Sequence, residues 1–360
     1  MNNKRALVTG GCGFIGSHVV RELVANDYIV DVIDDMSNGS LDALEGVNFR
    51  TCPADLLPDF ELKHPESERK AGSVLVIEGD FAHRQVLEHS RSGRYDTIFH
   101  LAAMPRVGFS VEHPFESNDL NVTRTLALLD AIRGGDTKFV FSSSSAIYGN
   151  VEQLPTTEFA PSNPQSPYGL QKRMIEDYLT LFGRLYQQKS ACLRYFNVYG
   201  PGQDGKSPYS TAVAAWCSAL KDGRPLRSDG DGYQTRDLVF VGDVARANRL
   251  AAETQHDLRG HAFNVGSGKS YANIEVLDMF KDRFQNLEIA HAPVRPGDVK
   301  DTLADIDIIK EALGWEPQMQ FEEGLAITLG WWGLDGKSSQ VREATNGSNS
   351  VLEGQGSNAE

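Results

Sequence analysis

The stretch Leu7-Val8-Thr9-Gly10-Gly11-Cys12-Gly13-Phe14-Ile15-Gly16-Ser17-His18 constrains this chain more than any other. An apolar strand, Ala6 to Val8, runs into a glycine-rich turn. A helical pattern follows, with Phe14, Ile15, Val19, Val20, Leu23 and Val24 on its inner face. Gly10 permits the tight turn, Gly13 removes a side chain where a pyrophosphate approaches the backbone, and Gly16 lets the helix pack close on the strand. The N–H groups of the first helical turn and the helix dipole favour a diphosphate there. A second apolar run, Tyr28 to Ile33, ends in Asp34 and Asp35. A carboxylate at that point hydrogen-bonds a ribose diol and repels a 2′-phosphate, so the expected cofactor is NAD and not NADP.

The first half repeats this alternation. Apolar runs recur at Ala6–Val8, Ile29–Ile33, Val74–Ile77, Thr97–Leu101, Phe139–Phe141 and Ala191–Tyr195, with helical patterns between most of them. That is the signature of an α/β fold, a Rossmann-type doubly wound parallel sheet that binds ligand beyond the carboxyl ends of its strands. Asn48 to Gly72, with its prolines and charges, reads as a surface insertion. After Gly200 the pattern loosens: a helix is expected over Tyr209 to Lys221, a strand over Leu238 to Val241 and a helix from about Gly242, with Asp243 near its start. The expected division is a cofactor domain over 1–200 with returns from the second half, a smaller α/β substrate-binding lobe over 201–334, and a disordered tail over 335–360.

Composition narrows the partners. The 360 residues carry a net charge of −14, which argues against nucleic acid or an anionic membrane as the main partner. Cys12, Cys52, Cys192 and Cys217 are scattered, with neither metal-ligand spacing nor a disulfide framework, so no metal is expected and reduced thiols of a cytoplasmic protein are. The first strand begins too early for a signal peptide to fit, and no apolar run approaches a membrane span.

Tyr168 and Lys172 are four residues apart, which places them on one helix face. An ammonium near a phenol favours the phenolate and is expected to lower its pKa toward working pH, so that it can take a proton from a sugar hydroxyl. The run Phe141 to Gly149 delivers four serines at a strand's carboxyl end, where a hydroxyl can relay that proton.

These motifs, with His100-Leu101-Ala102-Ala103, Arg194 to Gly200, Gly230 to Asp237 and Arg295-Pro296-Gly297-Asp298, resemble the extended short-chain dehydrogenase/reductases, and within them the nucleotide-sugar epimerases. The resemblance covers the chain to about Trp332. It implies Ser144, Tyr168 and Lys172 as the catalytic group, Lys172 also holding the nicotinamide ribose. It implies Asp80 and Phe81 as the adenine contact. Asn38, Gly39, Leu101, Ala102, Ala103, Asn121, Ser142, Tyr195 and Val198 complete the implied cofactor set with Gly10, Gly13, Phe14, Ile15, Asp34 and Asp35. For a UDP-sugar substrate it implies Asn197 and Arg236 at the diphosphate, Arg295 and Asp298 at phosphate and uridine ribose, and Val107, Trp216 and Thr302 along the pocket. Related dehydratases carry Asp and Glu directly after the catalytic hydroxyl, and related decarboxylases carry Glu at the second position. Here these positions are Ser145 and Ala146, so the acids that dehydration needs are missing.

The reading is therefore a 4-epimerase working through a transient 4-keto sugar. A small residue at Thr302, and the long insertion before Glu78-Gly79-Asp80, resemble enzymes that accept N-acetylated sugars. UDP-GlcNAc and UDP-GalNAc are the expected pair, with UDP-Glc and UDP-Gal weaker. A UDP-glucuronate 4-epimerase or another oxidoreductase of the scaffold is the alternative. The resemblance also implies a homodimer through a four-helix bundle, its apolar face carried by Leu126, Leu128, Leu129, Ile175, Tyr178 and Leu179.

Overall fold

Apolar residues alternate between the two sides of each central strand, and both sides are covered, so these strands read as nearly unbroken apolar runs. The computed structural model describes residues 4–206, 210–294 and 299–334. In chain order the first half is β1 (Arg5–Thr9), α1 (Phe14–Ala25), β2 (Ile29–Asp34), β3 (Phe49–Pro53), α2 (Leu57–Lys63), β4 (Val74–Glu78), α3 (Arg84–Arg91), β5 (Thr97–His100), α4 (Val107–Glu112), α5 (Pro114–Asn118), α6 (Arg124–Ile132), β6 (Lys138–Ser144), α7 (Pro167–Tyr186) and β7 (Ser190–Tyr195). The second half adds β8 (Asn197–Tyr199), α8 (Ala212–Lys221), β9 (Leu226–Asp229), β10 (Thr235–Phe240), α9 (Val241–Glu253), β11 (Arg259–Val265), β12 (Ser270–Ala272), α10 (Asn273–Arg283), β13 (Ile289–Ala292), α11 (Asp307–Leu313) and α12 (Phe321–Trp331).

Eight strands form one sheet in the order β11-β7-β6-β5-β1-β2-β4-β3, every neighbouring pair parallel. Ala6, Val8, Val30, Val32, Val74 and Val76 face one side, against Val19, Val20 and Leu23 of α1, Val244 of α9 and Ile309 of α11. Leu7, Ile33, Leu75, Ile77, Ile98, Phe139 and Phe141 face the other, against Val86 of α3, Leu128 and Leu129 of α6, and Ile175 and Leu179 of α7. The second half returns to this sheet through β11 and α9. Its remaining elements make a β12-β10-β8 sheet and a β13-β9 pair around a separate core with Trp216, Phe280, Phe321 and Leu325.

Several expectations change. Asn48 to Gly72 is not simply a surface insertion: Phe49–Pro53 is the edge strand of the main sheet, and Leu57 of α2 is fully buried beneath it. Asp31, buried in β2, accepts a hydrogen bond from the Tyr95 hydroxyl at 2.9 Å and pairs with Arg69 from the end of this segment. Leu128, Leu129, Ile175 and Leu179, expected on an exposed face, are all 0% exposed because the parallel sheet takes them as its own cover. The exposed apolar side chains of α4, α5 and α7 are Val107, Val111, Phe115, Leu170, Leu181 and Leu185. The helix expected from Tyr209 begins at Ala212 among the described residues. Arg295, Asp298 and the tail from 335 lie outside the described residues. No helix among the described residues is long and apolar enough to cross a membrane.

Candidate active site

The site lies at the carboxyl ends of β1, β2, β5, β6 and β7. Gly10 has φ +71°, and a Cβ there would stand 2.8 Å from the Ala102 nitrogen. A Cβ on Gly16 would stand 2.0 Å from the Gly10 carbonyl oxygen, so α1 rests directly on the turn. Gly13 caps α1 and offers no side chain, so nothing of its own covers the N–H groups at Phe14 and Ile15. Asp34 is buried, and its carboxylate accepts from the Cys12 N–H at 2.9 Å and the Met36 N–H at 3.0 Å. Burial pushes this carboxyl up while the two N–H donors pull it down. Asp34 therefore builds the turn as well as standing where a ribose diol is expected; a carboxylate has acceptor capacity for both. Asp35 and Asn38 are exposed, and the Ser40 N–H donates to the Cys12 carbonyl at 3.1 Å, which brings Asn38 and Gly39 to the turn.

Leu101, Ala102 and Ala103 follow β5. The Thr9 hydroxyl accepts from the N–H groups of Leu101 and Ala102, at 3.2 and 3.1 Å. Asn121 is buried. It accepts from the Met104 N–H at 2.7 Å and donates to the Met104 carbonyl at 3.1 Å and to Gln171 Oε1 at 2.8 Å. Its side chain thus holds the loop after β5 and leaves one lone pair of Oδ1 over. Asp80 pairs with Arg124 and accepts from the Ala82 N–H at 2.7 Å, and the Phe81 ring lies 4.9 Å from that of His100. The Tyr195 hydroxyl is engaged with Asn248 of α9, and Val198 is buried in β8.

Tyr168 and Lys172 do share one face of α7, turned to β6. Ser166 caps the helix, its hydroxyl accepting from the Gly169 N–H at 3.2 Å, and Pro167 starts it. Ser144 Oγ accepts from the Ala146 N–H at 3.1 Å, and the Ser144 hydroxyl draws the Tyr168 phenol down. Lys172 is 4% exposed; Nζ donates to the Ser142 carbonyl at 2.7 Å and lies 5.7 Å from the Tyr168 ring centroid. The electrostatics differ from the expected pair. Burial raises Tyr168 to about 12, against a smaller lowering by Ser144. Burial lowers Lys172 to about 7, against a raising by Glu176. Desolvation penalises both charged forms, so the phenol is not lowered by the amine on the protein's own groups.

The second half supplies a polar knot beside this face. Asn197 Nδ2 donates to the Asp237 carbonyl at 3.3 Å and to Thr302 Oγ1 at 3.1 Å, and Thr302 Oγ1 also accepts from the Asp237 N–H at 3.0 Å. Asp237 is fully buried and takes the N–H groups of Ser267, Gly268 and Ala304. Arg236 Nη1 donates to the carbonyls of Thr235 and Lys300, both at 2.9 Å. Val107 opens α4 and is 43% exposed. Trp216 is different: it is 2% exposed, packs on Phe280 at 5.4 Å and donates its indole N–H to the Arg227 carbonyl at 2.8 Å. It is core of the smaller lobe and does not line the pocket.

Sequence reasoning missed Glu176, Arg194 and His100. Glu176 was findable, since it continues the four-residue spacing of Tyr168 and Lys172. His100 is 1% exposed between the hydroxyls of Thr9 and Thr125, at 2.8 and 2.9 Å.

With this geometry in place, the comparisons define the class. Residues 6–266 match the NAD dependent epimerase/dehydratase family. The chain belongs to that family: it is an enzyme of isomerase type, and its cofactor is NAD. A UDP-glucose 4-epimerase of Azospirillum brasilense is 34% identical over 91% of this chain and 91% of its own length. Among solved structures, the UDP-N-acetylglucosamine 4-epimerase of Methanobrevibacter ruminantium M1, in complex with UDP-N-acetylmuramic acid, is 34% identical with TM-score 0.80, over 92% of this chain and 99% of that one. The UDP-glucose 4-epimerase of Thermotoga maritima with UDP-glucose is 36% identical with TM-score 0.79, over 91% and 98%.

Proposed function

We propose that this protein is a UDP-hexose 4-epimerase whose preferred pair is UDP-GlcNAc and UDP-GalNAc, with UDP-Glc and UDP-Gal turned over more slowly. The observation that carries the reading is that Tyr168 and Lys172 share the face of α7 turned to the end of β6, where Ser144 stands with Ala146 beside it. This is a group able to move one proton, with no second acid to expel a hydroxyl. The glycine turn and the uncapped start of α1 fit a dinucleotide diphosphate. When bound, NAD supplies reversible hydride acceptance from the sugar carbon.

The chain's own residues do the rest. Lys172 spends one donor on Ser142 and keeps two for ribose hydroxyls. Tyr168, standing at about 12, reaches the phenolate with added positive charge, which NAD+ carries. It then takes the proton of the 4-hydroxyl, directly or through Ser144, and gives it back to the same oxygen after the 4-keto sugar has turned over, so that the hydride, when NADH returns it, would enter the opposite face of that carbon. Arg236, Asn197, Arg295 and Asp298 hold the nucleotide diphosphate and ribose, charge against charge. Thr302 accepts two hydrogen bonds and keeps its hydroxyl proton for an amide carbonyl.

The test is incubation with a panel of UDP-sugars, with products identified by NMR. Interconversion of the N-acetylated pair at constant bulk NADH is expected. Net NADH change, or turnover of UDP-glucuronate alone, overturns the assignment. Thr302 decides the sugar. A tyrosine there overfills the pocket at a cost of about 1–3 kcal/mol, so kcat/KM for UDP-GlcNAc should fall roughly 5- to 150-fold in Thr302→Tyr and much less for UDP-Glc. Thr302→Ser, which keeps the hydroxyl that holds Asn197, should behave as wild type on both.

A further inference from the structure

Behind the catalytic face of α7 lies a buried ionic group that the reaction as described does not use. Glu176 is one helical turn beyond Lys172 and is 3% exposed. Its Oε1 accepts from Ser143 Oγ at 2.6 Å and from Arg194 Nε at 2.9 Å, and its Oε2 accepts from Arg194 Nη2 at 2.7 Å. Arg194 Nη1 goes on to the Tyr148 hydroxyl at 2.8 Å and the Glu158 carbonyl at 2.9 Å. The Tyr148 hydroxyl donates to Asn264 Oδ1 at 2.6 Å. The group therefore joins α7, β6, β7 and β11. Ser143, which Glu176 grips, stands between Ser142, whose carbonyl takes the Lys172 ammonium, and Ser144, the partner of Tyr168.

Stability alone does not account for this arrangement, since a buried ion pair about breaks even with apolar residues of the same shape. We propose that Glu176 is a positioning residue for the reaction: its carboxylate is the counter-charge of the Lys172 ammonium, and through Ser143 it fixes the strand that presents Ser144. The proposal rests on the assignment of Lys172 given above. The groups that face Lys172 are few. Its own helix brings Tyr168 and Glu176. The Phe141 ring of β6 lies 4.8 Å from Nζ. From β5 comes His100, which burial and the Lys172 charge push down to about 3, so it is neutral. From β7 come Tyr195, a buried phenol raised above its ordinary value, and Arg194, already taken by Glu176. Glu176 is the one negative charge among them.

The test is the pH profile of kcat/KM in the NAD-loaded enzyme for Glu176→Gln and for the charge-free pair Glu176→Gln/Arg194→Met, with Lys172→Met beside them. The paired variant removes both buried ions together and so leaves no orphan charge to block folding. Loss of the counter-charge makes Lys172 give up its proton sooner, so the alkaline limb should move about one pH unit lower, a roughly tenfold loss on that side, with the acid limb in place. NAD affinity, followed by fluorescence quenching, should fall over the same pH range. Lys172→Met should lack the limb altogether. A uniform loss of rate in the paired variant, with the wild-type limb and a wild-type pH dependence of NAD affinity, makes Glu176 a brace only and overturns the proposal. A wild-type limb in Lys172→Met instead removes Lys172 from the site, and this proposal with it.

Discussion

Tyr168 carries the largest expectation of any single residue. Tyr168→Phe keeps the ring and the packing of α7 but removes the proton acceptor, so kcat should drop about 10²–10⁴-fold. UDP affinity by calorimetry should stay near wild type. A normal turnover in this variant would show that another group takes the proton. His100 gives a pH-dependent counterpart. Folded, it is held near 3, well below the ordinary histidine value, because burial and the Lys172 charge disfavour the imidazolium. Between about 3 and 6.5 the unfolded chain binds a proton that the folded chain refuses. The neutral ring's contribution is whole above that window and is lost as pH falls through it, at up to about 1.4 kcal/mol per pH unit. His100→Gln should therefore show a flatter fall of Tm from pH 6.5 to 4.5 than wild type, read by scanning calorimetry. Parallel curves would mean that the ring charges in place.

At the scale of elements, the glycine turn is where one atom decides the geometry. A Cβ on Gly16 meets the Gly10 carbonyl oxygen at 2.0 Å, and backbone cannot yield as a flexible side chain can. Gly16→Ala should push α1 off the turn, cost about 1–3 kcal/mol or more, and abolish NAD retention through gel filtration. A variant that holds NAD and melts like wild type would show that the helix has room to move. This turn was legible in the sequence because three glycines, a strand and a helix all point to one structure. The inner strands were legible for a similar reason: Ile29–Asp34 is buried at every position, so its composition is unmistakable. The edge strand Phe49–Pro53 was not. Only Cys52 of its five residues is buried, and its polar outer positions look like loop. Trp216 misled in the opposite way. A large aromatic after the substrate loop suits a pocket equally well, and only the packing of Phe280 and the Arg227 carbonyl shows it to be core. Glu176 lay one helical turn from a residue already chosen, but its value depends on Arg194 and Ser143, which only the fold brings together.

In the function proposed above, the large sheet takes the cofactor and the polar knot of Asn197, Asp237 and Thr302 takes the sugar. Chain crossings through β11 and α9 bind the halves together, so the face of α7 that carries Tyr168 and the elements around Asn197, Asp237 and Thr302 are held in one frame. The same helix bears on assembly. Of the residues first assigned to a dimer face, Leu128, Leu129, Ile175 and Leu179 are buried in the sheet's cover, while Leu126 and Tyr178 are half-buried. Six apolar side chains are exposed on α4, α5 and α7: Val107, Leu181 and Leu185, and, where the three helices meet, Val111 at 58%, Phe115 at 88% and Leu170 at 50%. The two short helices α4 and α5 pack on each other and on α7. An aromatic ring left this bare beside two exposed aliphatic side chains is the kind of surface a second copy covers, and isologous pairing would bring the α7 helices of two protomers together. The expectation is therefore a homodimer seated on this face. Wild type should scatter light as a dimer at micromolar concentration, while Phe115→Glu/Leu170→Glu, which places charge on the face and touches no buried residue, should scatter as a monomer with an unchanged circular dichroism spectrum. A monomeric wild type would remove the dimer. A dimeric double variant would move the interface elsewhere on the molecule. Because Ser110, one residue before Val111, holds the Tyr168 N–H with its hydroxyl at 3.1 Å, the monomeric variant should also lose activity, by about tenfold or less, as the start of α7 loosens.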